Sequence, residues 1–501
     1  MAFPLFNSIA SWFLKKRIHQ IELFVKYPNE VQQEVLHSLL DYAQKTKKGY
    51  QYDFGSIRKY EDFAQRLPVV CYEDIAADIT ASRGGEDNLF WPTPIKWYAK
   101  SSGTTNAKSK FIPVSVEALE DCHYKAGKDM LSLYINNNPE AKLFTGKTLR
   151  LGGSQELYQQ ANTTFGDLSA IMTDNLPLWA EWNTTPNAKI SLMAEWEEKM
   201  KAIVEESSKE NVTGLLGVPS WMLVLLQQVL STHPQQSLKE IWPNVEVYFH
   251  GGVSFRPYRQ QFETLFADHS ISFYEIYNAS EGFFAIQDSN DSEDLLLMLD
   301  YGIFYEFIPH GKGDEAIIPL SEVVLGVPYA LVITTNGGLW RYKIGDVVQF
   351  TSLSPYRIQV AGRTKHYINA FGEELMVDNA ERAIEKAAKA CQVNVLEYTA
   401  APVFMEKGQQ GCHEWMIAFS SPPKDMDQFT HLLDKALQEL NSDYEAKRYK
   451  NITMGPPRVH IANEKLFYCW LEKNKKMGGQ HKVPRLSNER KLMEELLALK
   501  G

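Results

Sequence analysis

The chain has 501 residues, 44% of them hydrophobic and 23% charged, and carries a formal net charge of −10 at pH 7. That length exceeds one small core and predicts two domains, while the composition excludes a disordered chain, a collagenous repeat and a disulfide scaffold. The negative balance speaks against a nucleic-acid partner, because binding phosphates calls for a concentrated positive surface; beyond the short run Lys15-Lys16-Arg17, the basic cluster that stands out is near Lys473–Lys476.

Taken in chain order, the first apolar stretch is Met1–Leu14. Its basic run, Lys15-Lys16-Arg17, follows it, which is the wrong order for a secretory signal. An amphipathic helix packed on the protein is expected there. Glu30–Thr46 places Val31, Val35, Leu36, Leu39 and Leu40 at helical spacing, so the first ninety residues read as mainly helical. From Pro94 to Phe350, helix and strand are expected to alternate. Val245–Phe249 and Ala330–Ile333 read as strands, and Gly251-Gly252, Asn336-Gly337-Gly338 and Gly345-Asp346 as turns. Such alternation predicts an α/β architecture with helices on the sheet faces. A strand at Arg357–Val360 runs into Gly362-Arg363 and then a helical stretch, Asp378–Ala390. The boundary is expected near Gly362, giving a domain over 1–361 and a compact α+β block over 362–501.

The longest purely apolar run, Trp221–Leu226, is far too short to cross a bilayer, so no membrane partner is expected. The five cysteines are scattered and include no Cys-x-x-Cys pair. They suit reduced thiols in a cytoplasmic protein better than disulfides or a zinc site.

Four segments carry chemistry. Ser101-Ser102-Gly103-Thr104-Thr105 follows a β-like run and precedes Lys108 and Lys110; its hydroxyls and backbone N–H groups can be presented to phosphate oxygens. By itself it equally describes a polar turn capping a helix. His250-Gly251-Gly252-Val253-Ser254 lies between a strand and a helix, and its paired glycines permit close approach of a flat ligand, or simply a turn. Tyr274–Gly282 runs a strand into Ser280-Glu281. There a hydroxyl and a carboxylate could hold an α-phosphate and Mg²⁺, or cap a helix. Leu339–Val348 contains Gly345-Asp346, where the carboxylate could accept the ribose hydroxyls, or the pair could form a hairpin turn.

In this order the four segments resemble those of the auxin-responsive acyl acid–amido synthetases. That family is a branch of the adenylate-forming superfamily, which also includes acyl-CoA synthetases and luciferases, and the chain looks like a bacterial-type member. Tyr27-Pro-Asn-Glu-Val-Gln32, Trp91–Tyr98, Val218-Pro-Ser-Trp221, Asn278–Gly282, Thr334–Tyr342 and Gly478–Arg485 extend the likeness over the whole chain. The resemblance implies a large adenylate-forming α/β domain followed by a small mobile α+β domain. It implies a ligase that uses ATP and Mg²⁺ to adenylate a carboxylic acid and passes the acyl group to an amine, usually that of an amino acid. Ser101, Ser102, Gly103, Thr104 and Thr105 then stand as the phosphate loop, and Gly251 and Gly252 as the adenine-side turn. Ser280 stands as an α-phosphate contact, Glu281 as the Mg²⁺ ligand, Asp346 as the ribose anchor and Arg363 as a hinge residue touching nucleotide. Lys482 stands as the catalytic lysine brought in by closure of the small domain. A monomer is expected. Asn106-Ala107 departs from the family's small residue and glycine in the phosphate loop. An acyl-CoA synthetase with a thiol acceptor and an inactive nucleotide-binding homologue are the alternatives.

Overall fold

The computed structural model describes residues 17–102, 109–152, 157–160, 162–193, 196–253, 255–268, 270–363, 367–405, 410–451, 453–473 and 483–500. The Met1–Leu14 helix, the Asn106-Ala107 departure and most of the basic run after Lys473 lie outside these residues. The chain divides into two compact units, one formed by 1–101 and 111–364 and the other by 102–110 and 365–501.

The first unit is organised around one large mixed sheet. Its principal strands in chain order are β1 (Lys147–Leu151), β2 (Val212–Gly217), β3 (Val247–Gly251), β4 (Ser272–Ala279) and β5 (Gly282–Gln287). They continue with β6 (Leu295–Leu297), β7 (Ile303–Pro309), β8 (Pro328–Thr335), β9 (Tyr342–Leu353) and β10 (Tyr356–Arg363). Across the sheet they run β7-β8-β9-β10-β6-β5-β4-β3-β2-β1, with short strands at both edges.

Strands β1 to β4 are parallel to one another. Each return between them carries helices, including Pro219–Thr232 and Arg256–Leu265. Parallel neighbours require such crossovers. Covered on both faces, β3 is buried at every position and β2 at its first four, whereas β4 is buried at only three of its eight. After β4 the expected alternation fails. Strands β5 to β10 pair antiparallel, joined by turns and short 3₁₀ segments instead of α-helices. Most connections there are too short for a crossover helix, and the longest, between β7 and β8, holds two 3₁₀ segments and the short edge strand Ile318–Pro319. The sheet is therefore half parallel and half antiparallel.

Helix Pro28–Ala43 buries Leu36, Leu39, Leu40 and Ala43 on one stripe, as the spacing predicts. Gln32, also buried, is sewn to the sheet: its amide donates to Leu299 O and Ile303 O and accepts from Tyr305 N–H. Helix Pro219–Thr232 buries Trp221, Met222, Leu223, Leu225, Leu226 and Val229 and belongs to the interior.

The second unit holds a three-stranded sheet, β11 (Val395–Val403), β12 (Cys412–Phe419) and β13 (Arg458–Ala462), in that spatial order. Helices Val377–Cys391, Met426–Leu440 and Lys491–Lys500 accompany it. Its own core includes Met416, Ala418, Leu466, Phe467, Met493 and Leu496. Arg448 ties its helices together through Asp434, at 2.6 Å, with Tyr444 donating to the same carboxylate. All five cysteines are free thiols. Among the described residues no helix is long and apolar enough to cross a membrane.

Candidate active site

The carboxyl ends of β3 and β4 are neighbours, with Gly251 in register with Ile276. A Cβ on Gly251 would stand 2.5 Å from Ile276 O, so the strand end requires glycine. Gly252 follows at φ +82° and turns the chain toward helix Arg256–Leu265. His250, just before, is buried and stacked on Phe255 at 4.0 Å. Burial pushes its imidazole down to about 3, with Arg259 adding to the effect, so the ring is neutral.

Strand β4 ends at Ala279, and Ser280-Glu281 form the two-residue tip of the β4–β5 hairpin, where Gly282 pairs with Ala279. The pair is thus not the start of a helix. Both residues are partly exposed, and a hairpin tip presents a hydroxyl and a carboxylate clear of the sheet. Strand β4 carries one more polar group. Tyr277, three residues before Ser280, donates its hydroxyl to Asp346 Oδ2 at 2.7 Å. The spacing of the quoted Tyr274–Gly282 segment contains this tyrosine, but only the pairing of strands distant in sequence shows what it touches.

Gly345-Asp346 is a bulge inside β9, which corrects the expected hairpin turn. Ala330 pairs with Val347 and Val332 with Lys343, so residues 344–346 stand opposite Leu331 alone. Gly345, at φ +94°, supplies the conformation that a bulge of this kind favours. The bulge sets Asp346 opposite Arg363 on β10. Asp346 is largely buried at 8% exposure, so its carboxylate has few positions open to it.

Ahead of the bulge, Arg341 is buried and held bidentate by Glu306, at 2.9 and 2.8 Å. Its other nitrogen donates to Ala64 O and Leu67 O, and Tyr60 donates to Glu306 at 2.9 Å. Val70 completes the seam: its N–H donates to Arg341 O and its carbonyl accepts from Lys343 N–H. The residues around 60–70 are thereby fastened to the start of β9.

Ser101 and Ser102 close the strand Trp97–Ser102, within a four-stranded sheet that also contains Ser109–Val114. They are strand residues and not part of a helix-capping turn. Gly103, Thr104, Thr105 and Lys482 lie outside the described residues, as does the side chain of Arg363. The end of the closing motif is described. Arg485 O accepts from Ala400 N–H, Pro484 O accepts from Thr399 Oγ1 at 2.6 Å, and Arg485 pairs with Glu397.

Among the described residues no group of three or more His, Cys, Asp and Glu side chains could hold a metal unaided. Glu281 alone suits a magnesium ion that arrives with substrate phosphates, since Mg²⁺ in such sites takes one or two carboxylates and completes its shell with phosphate and water.

The chain matches the GH3 family N-terminal domain over residues 17–271, the central domain over 296–363 and the C-terminal domain over 378–491. It is 22% identical to the indole-3-acetic acid-amido synthetase GH3.4 of Arabidopsis thaliana, covering 94% of this chain and 91% of the relative. It is 21% identical to the jasmonoyl–L-amino acid synthetase GH3.5 of Oryza sativa subsp. japonica, with 95% of each covered. Among solved structures, a GH3.15 acyl acid amido synthetase superposes with a TM-score of 0.61 at 18% identity, over 96% of this chain and 95% of that one. A 2-hydroxyisobutyryl-CoA ligase superposes with a TM-score of 0.57 at 13% identity, over 94% and 92%. The last two likenesses establish a common fold. The family models span most of both units, and the chain belongs to the GH3 family.

Proposed function

We propose that this chain is an acyl acid–amido synthetase that activates a small carboxylic acid with ATP and joins it to the amine of an amino acid. One structural observation carries the assignment of the nucleotide site. Strand β4 bears both Tyr277, which fixes Asp346, and Ser280-Glu281 at its end. Those positions are roughly 10 Å apart at the rise of a β-strand, comparable with the reach from a ribose to its phosphate chain. Asp346 accepts the ribose hydroxyls, Gly251-Gly252 admit the base, and Ser280 contacts the α-phosphate. Glu281 holds a magnesium ion that balances phosphate charge. Ser101 to Thr105 supply further phosphate donors, and Arg363 adds positive charge near the nucleotide.

In the first half-reaction a carboxylate oxygen attacks the α-phosphorus, an O–P bond forms, and the bond to the β-phosphate oxygen breaks with release of pyrophosphate. In the second, the neutral amine attacks the acyl carbon, a C–N bond forms, AMP departs with the C–O electron pair, and the amine loses a proton. The work required is positioning together with neutralisation of phosphate charge. Lys482 contributes that positive charge in the first half-reaction. Lys482→Ala should therefore slow adenylation more than amide formation from a supplied acyl-adenylate.

Incubation with ATP, pooled acids and pooled amino acids, read by mass spectrometry, tests the assignment. Amide products support it. Thioesters formed with coenzyme A in place of amides would favour the ligase reading suggested by the second structural neighbour.

A further inference from the structure

The helix over 116–137 is not α-helical throughout. Its stretch Ala118–Tyr124, seven residues long, is π-helical, and the α-helix Lys125–Asn137 follows it. π-Helical turns are rare and are frequently found at functional sites. Here both sides of the stretch are tied to loops of the large sheet. Ser115 donates to Asn336 O at 2.7 Å, and Asn336 donates to Glu117 O at 3.2 Å. Beyond it, Lys125 donates to Asp300 O at 2.7 Å, and Asp129 accepts from Tyr301 at 2.8 Å. Each residue of an α-helix turns by about 100°, so an inserted residue between two such ties resets which side chain faces the sheet.

The side chain brought to the sheet is Cys122, which is buried. Phe283 stands opposite Asn278, one pair beyond Gly282–Ala279, the pair that closes the β4–β5 hairpin. Successive pairs of an antiparallel ladder alternately bond each other and face outward. On the outer side β6 ends at Leu297, and Met298 N–H donates to Phe284 O. Cys122 stands where the next strand residue would: its sulfur accepts from Phe283 N–H at 3.3 Å, and its thiol donates to Phe283 O at 3.9 Å. Burial pushes the thiol up to about 12, so it keeps the proton that it donates. The base of the hairpin has little slack, since a Cβ on Gly282 would stand 2.7 Å from Ile303 Cδ1. A displacement of Phe283 is therefore passed on to Ser280-Glu281.

We propose that the π-helical stretch Ala118–Tyr124 is the positioning element of the β4–β5 hairpin tip, with Cys122 holding Phe283 so that Glu281 keeps its place for magnesium. The proposal rests on the reading of Glu281 as the magnesium residue. It makes Cys122 a positioning residue, acting through the backbone of β5 and touching no substrate.

The test is the magnesium concentration that half-saturates ATP–pyrophosphate exchange, measured with Cys122→Ala, Cys122→Ser and, as a packing control, Leu133→Ala. Leu133 is buried in the same core on the same helix. Losing one hydrogen bond corresponds to about a fivefold change. Cys122→Ala is expected to raise the half-saturating magnesium by that factor. Cys122→Ser, which retains a donor and an acceptor, should need less magnesium than Cys122→Ala. Leu133→Ala should lower the urea midpoint and leave the magnesium requirement unchanged. An unchanged requirement in Cys122→Ala, an equal rise in Leu133→Ala, or no recovery in Cys122→Ser would overturn the proposal. Should Cys122→Ala not fold, Cys122→Val, which keeps the space filled, is expected to show the same rise. If the unsubstituted protein shows no magnesium-dependent exchange, the reading of Glu281 falls as well; if it does and Cys122→Ala behaves identically, only the role of the π-helical stretch falls.

Discussion

Asp346, the ribose anchor of the proposed nucleotide site, is held in place by its neighbours. Its carboxylate is mostly buried, and the Tyr277 hydroxyl donates to it at 2.7 Å. A charge-assisted bond of this type contributes about 1.5–3 kcal/mol. Asp346→Ala should weaken ATP binding strongly, and Tyr277→Phe should weaken it about tenfold. Since Tyr277 acts through Asp346, the double variant should bind no worse than Asp346→Ala alone. Calorimetry that finds fully additive effects, or no effect of Tyr277→Phe, would refute this coupling. Asp346 was legible as a candidate because a Gly-Asp pair is a local signal. Its true setting was not legible, because a bulge exists only by register with β8, and register depends on residues far away in sequence. Tyr277 escaped notice for the same reason.

At the scale of elements, the first unit depends on a small number of polar clips set into apolar packing. The Arg341–Glu306 pair is the most buried of them, with side chains 3% and 1% exposed. Arg341 also adopts φ +47°, a left-handed conformation that costs a non-glycine residue about 1–2 kcal/mol. The bonds to Glu306, Ala64 O and Leu67 O offset that strain and fix the start of β9. Arg341→Met leaves Glu306 as a buried charge without its main partner, and removing one member of such a pair costs about 3–5 kcal/mol. Urea denaturation should show a loss of that size. A loss under 1 kcal/mol would mean that the seam is held by other contacts. Helices with a strong apolar stripe, such as Pro28–Ala43, were readable directly from spacing. The antiparallel half of the sheet was not, because buried strands read as apolar runs whichever way their neighbours point.

For the molecule as a whole, acid sensitivity follows from two histidines buried in the first unit. Desolvation pushes His123 down to about 4, and His250 is held near 3. Unfolded, both return to about 6.5, so below that pH the unfolded chain binds protons that the native one refuses. Stability is therefore complete above pH 6.5 and falls as pH drops toward 4. From pH 7 to 5.5 each histidine removes on the order of 1 kcal/mol. Urea midpoints at the two pH values should fall accordingly, and less so in His250→Gln. A midpoint that rises on acidification would exclude neutral buried imidazoles as the controlling groups.

The same whole-molecule scale holds the claim on which the rest depends, that the chain activates a carboxylic acid as its adenylate. ATP–pyrophosphate exchange measures that half-reaction without the amine. Across a panel of aryl, alkyl and indole acids, the account predicts exchange that needs both an acid and Mg²⁺ and that is lost in Glu281→Ala. Exchange absent with every acid, or present and indifferent to Glu281, would contradict it.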